Sequence, residues 1–254
     1  IICLPSGDVT STDLTGSIIS ATQPIAVFGG HEEAVIGDGM TMGAGANSNC
    51  CAEHLEQQLL PVASWGTHYL AARSEPRGGS NEHWRVVAQA DGTVVQTVPP
   101  QPDSAQFTLN RGEFKEIVTP DSFEIIADAP VMVGEYLVSQ GSTRDNVGDP
   151  ALIVTPPINQ LRSAYQIITP SGYASNWLTV AREVGQSVTL DGIAIDAARF
   201  VTFGSNQYEL AWIEVDEGVH YLESETPFYL TVYGYSAAVS YGYPGGLNLR
   251  SDEM

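Results

Sequence analysis

An all-β fold of tandem, antiparallel, sandwich-like units is what this sequence predicts, and three observations carry the prediction. First, a turn–proline–strand motif recurs as residues 19–29 (ISATQPIAVFG), 126–136 (IADAPVMVGEY) and 222–233 (LESETPFYLTVY). In each copy an apolar residue (Ile19, Ile125 or Leu222) stands five positions before the proline, and a β-branched or aromatic run follows it. The copies lie about a hundred residues apart, the size of one β-sandwich unit and far beyond a solenoid repeat. Second, a matched set of offsets follows the first two copies: Pro61, Trp65 and Tyr69 are answered by Pro157, Leu161 and Tyr165. Third, Gly 25 and Pro 15 in 254 residues imply many turns, and long helical periodicity is absent.

The elements follow in order. Residues 15–20 and 24–28 are strand-like, and Pro24 opens the second run, where a missing N–H does least harm. Residues 29–54 carry Gly29, Gly30, Gly37, Gly39, Gly43 and Gly45 and read as one long loop. A loop of more than about 15 residues in a compact domain is usually functional or disordered. Its glycines form no phosphate loop, because no Gly-Lys-Ser/Thr follows them. One short helix is expected near 51–60, where Leu55 and Leu59 share a face. The second unit continues with HWRVVA (83–88) and DGTVVQT (91–97), and the third answers with NWLTVA (176–181) and GQSVTLDG (185–192). The resulting division is 1–55 for the end of a first unit and its loop, 56–150 and 151–246 for two further units, and 247–254 for a tail. The chain opens at Ile1 inside a strand-like run, so it reads as a piece of a longer protein.

Asp and Glu number 30 against 10 Lys and Arg, a formal charge of −20. A field of that sign repels phosphate backbones, so nucleic acid is not an expected partner. No run of about 18 apolar residues is present, so no membrane-spanning helix is expected. The three cysteines, Cys3, Cys50 and Cys51, favour a disulfide from Cys3 to one of the vicinal pair over a metal site, since adjacent thiolates rarely fit one tetrahedral ion.

Three groups are candidate site residues. His31, Glu32 and Glu33, with His54, put ligand-binding chemistry at the ends of the glycine-rich loop. They lack the His-Glu-x-x-His spacing of a zinc hydrolase. Asp145, Asn146 and Asp149 form an oxygen-rich loop suited to calcium, the one cofactor the chain suggests, although the spacing is not that of an EF-hand. Tyr241 and Tyr243 close a tyrosine-rich stretch, and tyrosine gives large contact area at low entropic cost. Tyr229, Thr231, Tyr233 and Tyr235 alternate and therefore share one strand face, which favours core over binding. No Gly-x-Ser-x-Gly nucleophile motif occurs.

Several stretches together resemble one family: PIAVFGGH (24–31), CAEHLEQQLLPVASWGTHY (51–69), WRVVAQADGTVV (84–95), ADAPVMVGEYLVSQ (127–140), GDPALIVTPPINQ (148–160) and YGYSAAVSYGYPGG (233–246). Taken over about 15–246, the chain is similar to the N-terminal domain family of the IgGFc-binding protein, found in large secreted mucin-like and bacterial surface proteins. The resemblance implies an extracellular, non-enzymatic, all-β binding module, partnered by a protein or glycan on another cell or matrix surface and by other domains of its parent. It also implies a cysteine shortly after Gly30-His31 pairing with Cys51. Residues 32–36 contain none, which leaves Cys3 as the substitute. Two other functions are weighed against binding: a structural spacer, and a carbohydrate-active enzyme, which needs two carboxylates about 5–9 Å apart in a cleft.

Overall fold

The computed structural model describes residues 13–37 and 51–249. Among them the chain is all-β, as expected, and its helical turns are short 3-10 segments. A two-stranded ladder, β1 (Phe28–Ala34) with β2 (Glu53–Gln58), comes first. A seven-stranded antiparallel sheet follows: β3 (Gly66–Ala71), β4 (Glu82–Ala88), β5 (Thr93–Val98), β6 (Gln106–Leu109), β7 (Phe114–Thr119), β8 (Phe123–Leu137) and β9 (Ala151–Thr155). An eight-stranded sheet completes it: β10 (Arg162–Thr169), β11 (Ser175–Glu183), β12 (Val188–Leu190), β13 (Ile193–Ala194), β14 (Val201–Phe203), β15 (Tyr208–Val215), β16 (Gly218–Ser236) and β17 (Val239–Pro244).

The two large sheets are wired alike. One runs β6-β5-β8-β4-β7, with β3 and β9 also on β8; the other runs β13-β12-β16-β11-β15-β14, with β10 and β17 also on β16. Each long strand changes partners midway. The first part of β8 pairs with β3 and β5, and the part from Val131 pairs with β4 and β9. In β16 the exchange falls between Ser224 and Tyr229. Pro130 and Pro227 stand at these exchanges. A residue with no N–H to give is least costly where one ladder ends and another begins, and this explains the proline motif.

The second motif is explained by the first. The Tyr69 hydroxyl donates to the carbonyl of Val131, one residue past Pro130, and accepts from the Gly66 N–H at 2.9 Å. Tyr165 repeats both bonds, to the Phe228 carbonyl at 2.7 Å and from the Arg162 N–H at 2.9 Å. In each copy the ladder register slips at that point, between Gly66 and His68 and between Arg162 and Ala164. The phenol bridges a backbone N–H and a carbonyl at the irregularity, so neither is left buried and unpaired. A 3-10 turn precedes each tyrosine strand, Val62–Ser64 and Ile158–Gln160.

Each sheet folds around its own core. One packs Trp84, Val86, Ile117, Phe123, Ile125 and Val133; the other packs Leu178, Val180, Ile213, Leu222, Leu230 and Val232. Mixed clusters join the units, with Leu70 and Ala72 against Leu161 and Tyr229, and Leu137 and Ile153 against Tyr233 and Tyr235. Ala34, Ile36 and Leu55 join Val138. The link between β3 and β4 fastens the sheets through hydrogen bonds. The Arg73 carbonyl accepts from Trp212 Nε1 at 2.9 Å and Thr179 Oγ1 at 3.2 Å, and Glu75 N–H donates to the Tyr233 hydroxyl at 2.7 Å.

Two readings need correction. The helix expected near 51–60 is strand β2, paired in register with β1 from Phe28–Gln58 to His31–Leu55. Residues four apart share a face in a strand as well as in a helix, so Leu55 and Leu59 did not discriminate; Leu55 is buried against Val138, and Leu59 packs over Gly29. Of the expected loop at 29–54, residues 29–34 and 53–54 are correspondingly ladder, and residues 38–50 lie outside the described residues. The second correction concerns HWRVVA and NWLTVA. Trp84 pairs with Glu135 and Leu178 with Val232, the same place relative to Pro130 and Pro227. Trp84 therefore corresponds to Leu178, and Trp177 lies on the opposite face, against the Tyr233–Tyr235 cluster. A slip of one residue reverses every side chain in a strand.

Candidate binding site

The region to build from is where three equivalent strand pairs turn back. β1–β2, β8–β9 and β16–β17 each follow a proline motif, and their connections converge. The Ile36 N–H donates to Ser139 Oγ at 3.0 Å, and Ser139 N–H to the Ile36 carbonyl at 2.7 Å. At the far end of the same connection, Cys51 N–H donates to Asp149 Oδ1 at 3.2 Å. The third connection joins through Asp149 N–H to Ser240 Oγ at 2.6 Å, Gly148 N–H to the Ser236 carbonyl at 2.7 Å, and Ala238 N–H to Gln140 Oε1 at 2.6 Å. Among the described residues, Ile36 and Cys51, at the two ends of this connection, are thus both held by the 139–149 segment.

Asp149 is the hub. It is 1% exposed, and besides Cys51 its Oδ1 accepts from Gln140 N–H at 3.5 Å. Burial, with the Glu53 carboxylate nearby, pushes its acid up to about 6 despite those N–H donors and Arg77. Gly148 before it has φ +77°, and an added Cβ would run into Arg77 Nη1 and the Tyr235 ring. The Gly-Asp-Pro motif therefore supplies a left-handed close approach, a three-way anchor and a stop.

An aromatic group borders this junction. Tyr173 meets Tyr241 edge-on at 4.7 Å, and Tyr241 stacks with Tyr243 at 6.1 Å. Tyr241 donates to Asn176 Oδ1 at 2.8 Å, and Tyr243 donates to the Ile168 carbonyl. Burial, and then the Glu53 charge, raises the Tyr173 phenol. All three rings are half-buried, so their edges stay open.

The sequence candidates fall in different places. His31 is opposite Leu55 and so shares its face, whereas His54 points to the other face and contacts Glu56 at 3.3 Å. Glu32 and Glu33 occupy the irregularity between His31 and Ala34 and are exposed. The two histidines do not converge. Asp145 and Asn146 are exposed, while Asp149 is turned inward onto backbone donors. Among the described residues no group of three or more His, Cys, Asp or Glu is gathered to hold a metal ion. Cys3 and Cys50 lie outside the described residues, and Cys51 is placed by its bond to Asp149. Sequence reasoning missed Tyr173, Ser139, Gln140 and Ser240. Ser240 had a signal as the first residue of Ser-Tyr-Gly-Tyr-Pro, and Ser139 and Gln140 as the end of the 127–140 stretch; Tyr173 had none.

A close pair of carboxylates does occur, but buried and not in a cleft. Glu82 and Glu135 are fully buried, and burial raises both, Glu135 further because Glu82 lies close. Glu82 accepts from Ser74 Oγ at 2.7 Å with Arg73 at 3.6 Å, and Glu135 accepts from Ser74 N–H at 3.0 Å. The arrangement is an internal ion network between sheets.

The IgGFc binding protein family matches residues 6–234. The chain belongs to that family. A human protein, IgGFc-binding protein, is 26% identical over 238 residues, which is 91% of this chain and 4% of the human one. The chain thus spans a small part of the curated relative it matches. No solved structure matches it. Within the family match lie both copies of the tyrosine bridge and the Gly-Asp-Pro hub. Among the described residues no helix is long and apolar enough to cross a membrane.

Proposed function

We propose that this chain is an extracellular binding module of a larger secreted or cell-surface protein. It recognises a protein or glycan on another cell or matrix surface through the end where its three strand-pair connections meet. The convergence of those connections on Asp149 supports this reading. A rigid hub carrying several loops is the common architecture of recognition, because the scaffold bears the ordering cost and the loops vary. Half-buried Tyr173, Tyr241 and Tyr243 beside it offer aromatic edges of the kind that dominate interfaces. The family's description names a binding activity toward antibody Fc, which favours a protein partner. The chain's −20 charge directs the choice toward a basic or neutral surface. Calcium at Asp145, Asn146 and Asp149 would require Asp149 to turn away from its backbone donors, and a disulfide from Cys3 to Cys50 or Cys51 is proposed alongside.

A glycan array and a pull-down from extracellular surface extract, each followed by affinity measurement on the captured species, test this. Replacing residues 38–49 by a Gly-Ser linker, or Tyr173 by Ala, is expected to weaken binding at least tenfold with the thermal transition retained. Binding unchanged by both variants would overturn the location. Silence of the intact chain in both screens would favour the spacer role.

A further inference from the structure

At the end of β11 away from Asn176 lies a charged pair that its surroundings do not use up. Arg182 and Glu209 stand directly opposite each other in the β11–β15 ladder, and Arg182 Nε donates to Glu209 Oε1 at 2.9 Å. The Gly185 N–H, from the turn after β11, donates to the same oxygen at 3.2 Å. The Phe200 ring covers the guanidinium, with Cζ 3.4 Å from the ring centroid. Both side chains are thereby fixed, and Arg182 is only 3% exposed. Yet among the described residues neither Arg182 Nη nor Glu209 Oε2 has a protein partner, and none of these atoms is sealed from solvent. Arg73, by contrast, donates from all three of its nitrogens to backbone carbonyls.

The fold does not require this pair. Trp84 corresponds to Leu178, so Arg182 corresponds to Ala88, and a buried methyl group closes the same place in the second unit. Burying two charges costs desolvation that a small apolar residue avoids. The pair lines a cleft of about 490 Å³, within the range of small-ligand sites. Val184, Ala194, Ile195 and Ala197 give the cleft an apolar wall, and Asp196 stands exposed at its rim.

We propose that this cleft is a saccharide subsite, which takes one neutral sugar unit through a pair of adjacent hydroxyls. Each hydroxyl both donates and accepts. Two neighbouring hydroxyls can therefore accept from the Nη groups and donate to Glu209 Oε2 together, while the C–H face of the ring rests on the apolar wall. Charge selects the neutral class. Glu209 already neutralises Arg182, Glu183 and Asp196 add negative charge beside them, and the chain carries −20, so a carboxylate or sulfate is repelled. An ammonium group has no acceptor to offer the guanidinium donors. Roughly 20 Å of strand separates Arg182 from Asn176, where Tyr241 bonds. The subsite is thus separate from the Asp149 hub and does not rest on the function proposed for it.

The probes are the methyl glycosides of galactose, mannose and glucose, titrated into the isotope-labelled chain and followed by NMR. At least one is expected to shift the amides of residues 184–187 and 194–197 saturably. Sodium acetate, and a tetrahydropyran that lacks adjacent hydroxyls, are expected to leave them unmoved. Glu209→Gln keeps an oxygen for Arg182 Nε but turns the free acceptor into a donor, and should weaken sugar binding about tenfold. Ala197→Trp, at an exposed position on the wall, should fill the cleft and abolish the shifts with Tm unchanged, which keeps the test decisive if the Glu209 variant folds poorly. Tyr173→Ala, at the hub, should leave sugar binding intact. No shift with any of the three glycosides at tenth-molar concentration would overturn the proposal. So would shifts that survive Ala197→Trp, shifts lost in Tyr173→Ala, or tighter binding of acetate than of any sugar.

Discussion

Tyr69 and Tyr165 show how much one hydroxyl does here. Each bridges a donor and an acceptor that would otherwise be orphaned inside a register slip. Phenylalanine fills the same space but strands both backbone groups. Tyr69→Phe and Tyr165→Phe are each expected to cost about 1–3 kcal/mol in urea unfolding. The two costs should add, because the bridges lie in different sheets. Asp149 gives a pH signature. Its acid is raised to about 6 in the fold from 3.8, so the folded state holds a proton that the unfolded chain has released. That contribution is fully present below the unfolded value and is lost as pH rises through about 6. Asp149→Asn keeps an oxygen for the Cys51 and Gln140 donors and cannot ionise. The variant should therefore lose less stability than the parent between pH 4 and pH 7, read as the shift in urea midpoint.

At the scale of elements, the recurrent unit is a long strand that changes partners at a proline, followed by a strand that turns back onto it. The connection after the long strand differs in each copy: residues 35–52, 138–150 and 237–238. The second connection organises the others, and Gly148 is its tightest point. Gly148→Ala would force a side chain into a left-handed backbone and against Arg77 and Tyr235. It is expected to destabilise by at least about 2 kcal/mol. It should also raise hydrogen exchange at the Cys51 and Asp149 amides, the donors of the two bonds that tie Asp149 to its neighbouring connections. Unchanged exchange there would show that the hub does not couple the connections. Both the one-residue Trp84–Trp177 misalignment and the β2 misreading arose at this scale. Short apolar runs specify burial but not register or period, and the partner strand decides both.

For the whole molecule, charge and order of assembly matter most. Thirty carboxylates against ten cationic side chains repel one another across the compact fold. Salt should screen this, so Tm is expected to rise by several degrees between 10 mM and 500 mM NaCl, measured by calorimetry. A flat response would mean the acidic groups are already locally compensated. Arg73, Arg77, Arg85 and Arg182, four of the ten cations, are buried, and Arg85 and Arg182 bond directly to carboxylates. Part of the positive charge is thus spent internally, and the outer surface is more one-signed than composition states.

The sequence by itself determined the all-β class, the repeated proline motif, the Pro-to-Tyr spacing and the family, because these rest on local spacing that survives without neighbours. It also marked the Gly-Asp-Pro and Ser-Tyr-Gly-Tyr-Pro stretches, though not what they do. Only the tertiary structure decided that three distant connections meet on Asp149 and that His31 and His54 diverge. Strand pairing joins residues as distant as Arg162 and Phe228, the connections meet across about a hundred positions, and no local pattern in a chain records which distant strand will lie beside it.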